Sequence, residues 1–385
     1  GASDRWERYA ANWPPVGLGS AEQAPPSLGA LAALSTVTLG KPWLAVSILL
    51  LGAVPLAGLT AYAAARALVV EPPPPKTGRR ALRRGDGRRV PLAAVRVWIA
   101  ATYALLPVAT GAVSTGRLGT AVVLVLLPLI VWQTARMYGL PRSSRLPRKQ
   151  RRRAAWAVAL LLAVAMAFVP LTWPLAVVSG LVVRAAFGVR GGRRIDCGLL
   201  IALGVPPLLL LPWTLTLLRH PSRFLLETGL HPGTDPAPGA LSLLTFNPGG
   251  PGTPPWWALC GLLLPAAVAL LLRSGRTVVL TGWTLTLFGL LVAVGVSAVT
   301  VTKGAERAAA WPGAALLLGA AGALVAAVAA VLRAAVALTA RDLISRIGGG
   351  LVMAAALSAP ALAGVLWVPG GARGPLQEVS DETVP

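Results

Sequence analysis

The sequence predicts an all-α fold, a polytopic bundle of transmembrane helices, and three observations carry that prediction. Hydrophobic residues make up 55% of the chain and charged residues only 12%, with a mean hydropathy of +0.70, whereas soluble chains carry roughly 25% charged residues. The apolar residues come in long unbroken blocks, many near the roughly 20 residues that cross a bilayer core as a helix. They do not alternate with polar ones, as the strands of a membrane β-barrel would. Plentiful alanine, glycine and leucine suit helices that pack closely in lipid, where small residues let backbones approach.

Taken in order, residues 1–27 form a loop rich in proline and glycine, including ANWPPVGLGSAEQAPP at 11–26. The apolar segment 28–39 is too short to cross and predicts a re-entrant or interfacial helix. About ten spans follow, at 42–68, 92–113, 118–135, 154–171, 174–188, 197–218, 256–272, 277–299, 312–334 and 347–368. The fourth and fifth are joined around Pro170 and Pro174, and the fifth is short enough to dip in without crossing. A multi-span domain at 28–368 thus lies between the 1–27 loop and an acidic tail at 369–385.

Basic residues set the orientation, because cytoplasmic loops collect lysine and arginine. The 71–91 and 136–153 connections are crowded with them, whereas the 219–255 loop pairs Arg219 and Arg223 with Glu227 and Asp235. With alternate connections assigned to alternate sides, one side holds 26 basic and 4 acidic residues and the other 9 of each. The whole net charge of +22 is therefore expected on the cytoplasmic face, with both termini outside. Contact with anionic lipid headgroups is secondary to this bias. A nucleic-acid partner is excluded, because these charges flank apolar spans without aromatic interleaving. The chain starts at Gly1 and shows no signal peptide. An outer N-terminus then implies at least one earlier span in a longer protein. Trp13, Trp43, Trp256 and Trp257 stand near span ends, where tryptophan anchors the interface.

Candidate chemistry is sparse. No phosphate-cradling G-x-x-x-x-G-K-[ST] loop and no dinucleotide-binding glycine pattern occurs, which argues against ATP-driven chemistry within this chain. Few ionisable residues fall inside spans, which disfavours an ion-coupled transporter. Proline breaks around Pro55, Pro107, Pro128, Pro206 and Pro207 could shape a cavity. Cys197 and Cys260 are expected near opposite faces, too far apart for a disulfide. His220 and His231, the only histidines, share the 219–255 loop with Glu227 and titrate near neutral pH; a solvated loop histidine is the simpler reading. NPGGPGTPP at 247–255 is a turn. In the first loop Asp4 could act as a base or as a metal ligand. No cofactor is evident, no metal-ligand cluster has the right spacing, and a divalent metal on such outer carboxylates is the one cofactor left open.

APPSLGALAALSTVTLGKPWLAV at 24–46, followed by PLAGLTAYAAARAL at 55–68, resembles an element of type C membrane glycosyltransferases. WPPVGLGS at 13–20 with YALLPVATGAVSTGRLGT at 103–120 resembles the membrane region of actinobacterial family 2 glycosyltransferase proteins. The resemblance implies transfer of sugars from polyprenyl-phosphate carriers onto envelope glycan at the outer face of the plasma membrane. It implies Asp4 as the catalytic carboxylate and Arg117 as a phosphate partner. Trp13, His220, Glu227 and His231 are the remaining candidate substrate contacts. The chain departs from the family in having no D-x-D pair and no soluble nucleotide-sugar domain. A non-enzymatic reading stands beside it: a flippase-like carrier or scaffold for envelope synthesis.

Overall fold

In the computed structural model, the structure describes residues 25–70, 92–140, 146–187, 193–228, 238–249, 260–273, 275–303, 306–339 and 342–372. The described residues are helical apart from one small hairpin. The helices are α1 (Pro26–Val37), α2 (Pro42–Leu68), α3 (Leu92–Ala104), α4 (Pro107–Ser114), α5 (Leu118–Tyr138), α6 (Arg148–Phe168), α7 (Thr172–Phe187), α8 (Arg193–Leu209) and α9 (Trp213–Arg219). A 3-10 turn at Pro221–Leu225 follows, then α10 (Ala240–Leu244), α11 (Cys260–Leu270) and α12 (Arg276–Ser297). The antiparallel strands β1 (Thr300–Lys303) and β2 (Glu306–Ala309) lead into α13 (Gly313–Ala337), and α14 (Leu343–Ala372) closes the fold.

Five helices, α2, α5, α12, α13 and α14, are long and apolar enough to cross a bilayer, and up to seven spans result if each bent pair counts as one. The expectation of about ten is therefore met only in part. Segment 92–113 divides into α3 and α4 with a 40° bend, and 197–218 divides into α8 and α9 with a 97° bend. α6 opens on five cations, Arg148, Lys149, Arg151, Arg152 and Arg153. α7 has 16 residues, or about 24 Å of helix against a core of about 30 Å. The described part of 256–272 contains the 11-residue α11, and most of the 28–39 segment lies in the short helix α1.

Prolines do not all break the chain where they occur. Pro55 and Pro128 lie within continuous helices, and Pro206 and Pro207 lie within α8 ahead of its bend. A proline inside a helix leaves the carbonyl four residues earlier without its N–H partner, and hydrocarbon supplies no water to replace it. At Pro128, Pro207 and Pro360, aromatic side chains from neighbouring helices supply such a donor. Tyr103 Oη donates to the Leu124 carbonyl, freed by Pro128, at 2.8 Å. Trp173 Nε1 donates to that of Leu203, freed by Pro207, at 2.9 Å. Trp98 Nε1 donates to that of Ala356, freed by Pro360, at 2.8 Å. Each bond also fixes which helices are neighbours: α3 beside α5 and α14, and α7 beside α8.

Glycine permits close helix contacts in the core. A Cβ on Gly289 would lie 2.6 Å from the Ala315 carbonyl oxygen, and one on Gly282 would lie 2.7 Å from that of Gly322. α12 and α13 therefore touch backbone to backbone, the small-residue packing expected in lipid. The buried faces of α2, α3, α5 and α11 join this pair in one main apolar core.

α5 and α6 run antiparallel, so the connections at their two ends lie apart. At one end the Gly119 N–H donates to Thr228 O at 3.0 Å, the Thr228 N–H to Phe168 O at 3.0 Å, and Trp311 Nε1 to Thr120 Oγ1 at 3.2 Å. At the other, Arg96 Nη2 bonds Val69 O at 2.7 Å and Arg151 Nε bonds Met137 O at 2.9 Å.

Candidate functional site

Three connections converge at the first of these ends: the α4–α5 turn, the segment after the 3-10 turn, and the stretch entering α13. Gly116 takes a positive φ of 67° in the α4–α5 turn, a conformation that glycine adopts without steric cost. The turn delivers Arg117 as the residue that caps α5. Arg117 is buried, and its guanidinium sits over the Trp311 ring at 4.7 Å from the centroid, a geometry in which the π face attracts the cation.

Glu227 approaches from the segment after the 3-10 turn. Its Oε1 accepts the Thr120 backbone N–H at 2.6 Å and the Thr120 hydroxyl at 2.7 Å. Thr120 is in the first turn of α5, where backbone N–H groups have no partner within the helix and a negative charge is favoured by the helix dipole. The carboxylate completes that turn from 107 residues away in sequence. Gly119 makes the approach feasible, because a Cβ there would come within 2.6 Å of Glu227 Cγ and 2.8 Å of Val169 Cγ2. Trp311 then links the two halves, stacking on Arg117 while donating to Thr120 Oγ1.

Burial pushes the Glu227 carboxyl up to about 7. The two Thr120 hydrogen bonds and the Arg117 charge pull it down and keep it from rising further. A buried carboxyl that titrates near neutrality, within the field of a guanidinium, can exchange a proton at physiological pH. The guanidinium presents donors matched to phosphate or carboxylate oxygens. The cluster therefore combines an anion partner with a proton acceptor.

Of the residues expected from the sequence to form a site, the structure brings Arg117 and Glu227 together. His220 stands apart at the end of α9, exposed, and its hydrogen bonds run through its backbone, the N–H to Thr216 O at 3.0 Å and the carbonyl from the Arg223 N–H at 2.9 Å. Asp4, Trp13 and His231 lie outside the described residues, as do Trp256, Trp257 and the 71–91 connection. Trp43 is 64% exposed, at the start of α2, as an interfacial anchor would be. Thr120 and Trp311 were not visible as site residues in the sequence. The available signals were Thr120's place three residues after Arg117 at a span start, and Trp311's place just before Pro312 and Gly313. Among the described residues no group of three or more His, Cys, Asp or Glu could hold a metal ion, so the divalent metal left open by the sequence gains no ligands here.

Comparison with known proteins found no matching family model, no similar curated protein and no similar solved structure.

Proposed function

We propose that this chain is the membrane-embedded part of a glycosyltransferase that assembles cell-envelope glycan. The Arg117–Glu227 end faces out of the plasma membrane and works on a polyprenyl-phosphate-linked or glycan substrate. The observation that carries this reading is the buried meeting of Arg117, Trp311, Thr120 and Glu227, with little other buried charge among the described residues. Thr120 and Arg117 both fall within the 103–120 stretch that resembles the membrane region of family 2 glycosyltransferase proteins. Arginine crowding at the opposite end supports an extracytoplasmic placement of the cluster.

In this reading Arg117 holds phosphate oxygens and offsets the charge that develops as the lipid phosphate departs. Glu227, held by Thr120, accepts the proton of the acceptor hydroxyl as the new glycosidic bond forms. Asp4 is the other carboxylate available for that role.

The test is turnover by the full-length protein in lipid, with a polyprenyl-phosphate sugar as donor. Glu227→Gln lowers kcat by at least about a hundredfold with little change in KM, and Arg117→Lys chiefly raises KM for the lipid donor. Wild-type turnover in both variants removes the assignment, and an inactive Asp4→Asn beside an active Glu227→Gln moves the base to Asp4. A carrier without catalysis is the second reading, favoured by the two broken helix pairs, since broken helices commonly line substrate pathways. Lipid translocation without sugar transfer selects it.

A further inference from the structure

The far end of the bundle carries a second concentration of charge. α6 begins after Pro147 with Arg148, Lys149, Arg151, Arg152 and Arg153, and no acidic residue lies in its first turn. Arg151 is committed inward, its Nε donating to Met137 O near the end of α5. Arg148, Lys149, Arg152 and Arg153 are exposed. Four exposed cations crowded within six residues repel one another, and the partial positive charge of the helix start adds to that repulsion. Arg136, in the last turn of the neighbouring α5 and 5.7 Å from the Trp132 ring centroid, adds a further cation at this end.

Below these cations the same side of α6 turns apolar and stays exposed. Trp156 is 44% exposed, Leu160 55% and Val164 44%. The spacing of four continues from Arg152 through Trp156, Leu160 and Val164, so these residues lie along one face. The opposite face, with Ala155, Val158, Ala159 and Leu162, is buried against the bundle. A tryptophan between a cationic cap and an aliphatic stripe marks the height of the headgroup boundary.

We infer that the α6 start is a binding surface for anionic phospholipid, in which Arg148, Lys149, Arg152 and Arg153 take the headgroup phosphate while Trp156, Leu160 and Val164 lie along its acyl chains. Charge complementarity selects an anion. Continuity with the exposed apolar stripe selects a lipid over a soluble anion, because the patch and the stripe form one surface. This inference does not depend on sugar transfer.

The experiment uses the full chain in bilayers of phosphatidylcholine with trace spin-labelled phosphatidylglycerol or spin-labelled phosphatidylcholine. The motionally restricted fraction of each label is read by EPR. Wild type restricts phosphatidylglycerol preferentially, and added NaCl weakens the preference by screening. R148Q/K149Q/R152Q/R153Q lowers it at least about threefold, and R148K/R152K/R153K retains it. Equal restriction of both lipids by wild type at low salt overturns the inference, as does a preference untouched by the quadruple glutamine variant. Should that variant fail to insert, the salt titration of wild type decides, and a preference that persists undiminished at high salt counts against the site. A single-stranded oligonucleotide that binds the patch without displacing spin-labelled phosphatidylglycerol assigns it to a soluble partner instead.

Discussion

The middle of the bundle and its Glu227 end both bury polar atoms, and they do so by different means. Within the helices the buried groups are neutral carbonyls freed by Pro128, Pro207 and Pro360, each matched by one aromatic donor from a neighbouring helix. At the end the buried groups are a guanidinium and a carboxyl, linked through Thr120 and Trp311 into a network that can change its charge. The first arrangement satisfies the backbone and has no proton to exchange. The second holds a titratable group near neutral pH. Burial of polarity alone thus says little about chemistry, and the distinction lies in whether the buried group can alter its protonation state.

The sharpest way to break this contrast is Glu227→Ala, which leaves Thr120's donors unmatched and Arg117 without its nearby carboxyl. Each buried donor left without a partner costs about 1–3 kcal/mol, and a comparable loss is expected in chemical unfolding of the protein in detergent. An unchanged unfolding midpoint would show that the network contributes nothing to stability. Glu227 also predicts a pH slope. Its folded value of about 7 lies above the ordinary 4.5, so the folded protein binds this proton more tightly than the unfolded chain. Its contribution is full below about pH 4.5 and is lost as pH rises through about 7. The total is about 3 kcal/mol from the ratio of the two affinities, and Glu227→Gln removes that slope.

A smaller effect comes from Gly119→Ala. The added methyl meets Glu227 Cγ and Val169 Cγ2, and overpacking of this kind costs about 1–3 kcal/mol. If the contact sets the register of the Glu227 segment, the variant also shifts the Glu227 titration, which a difference infrared spectrum of the carboxyl can follow. An unperturbed carboxyl band would place the strain elsewhere.

The interior arrangement supplies the smallest and most specific effect. Tyr103→Phe removes the donor to Leu124 O, a loss of about 1 kcal/mol. In a Pro128→Ala background residue 128 has its own N–H for that carbonyl, and the same substitution should then cost little. A double-mutant cycle with no coupling between positions 103 and 128 would refute the compensation.

Much of this architecture could be read from hydropathy. Long apolar blocks announced the helices, although five to seven of them, against the ten expected, are long and apolar enough to cross. What local pattern could not supply was continuity. Pro128 and Pro107 look alike in sequence, yet one sits inside a continuous helix, where Tyr103 reaches the carbonyl it frees, and the other opens a new one. Arg117 stood out as a charge in a turn ahead of a span and Glu227 as a loop acid among Arg219, Arg223 and Asp235, but their meeting depends on two connections separated by more than a hundred residues. Thr120 and Trp311 were overlooked because a threonine and a tryptophan at a span boundary have ordinary interfacial roles. Only the three-dimensional arrangement turns them into the link between two charges.

The glycine contact between α12 and α13 bears on biogenesis. These two helices are consecutive, joined by a tight strand pair, and each passes as a crossing segment by itself. Their mating surfaces are already smooth enough for main chain to meet main chain. The hairpin can thus form as soon as its second arm leaves the insertion machinery, giving α14 a finished wall to dock on.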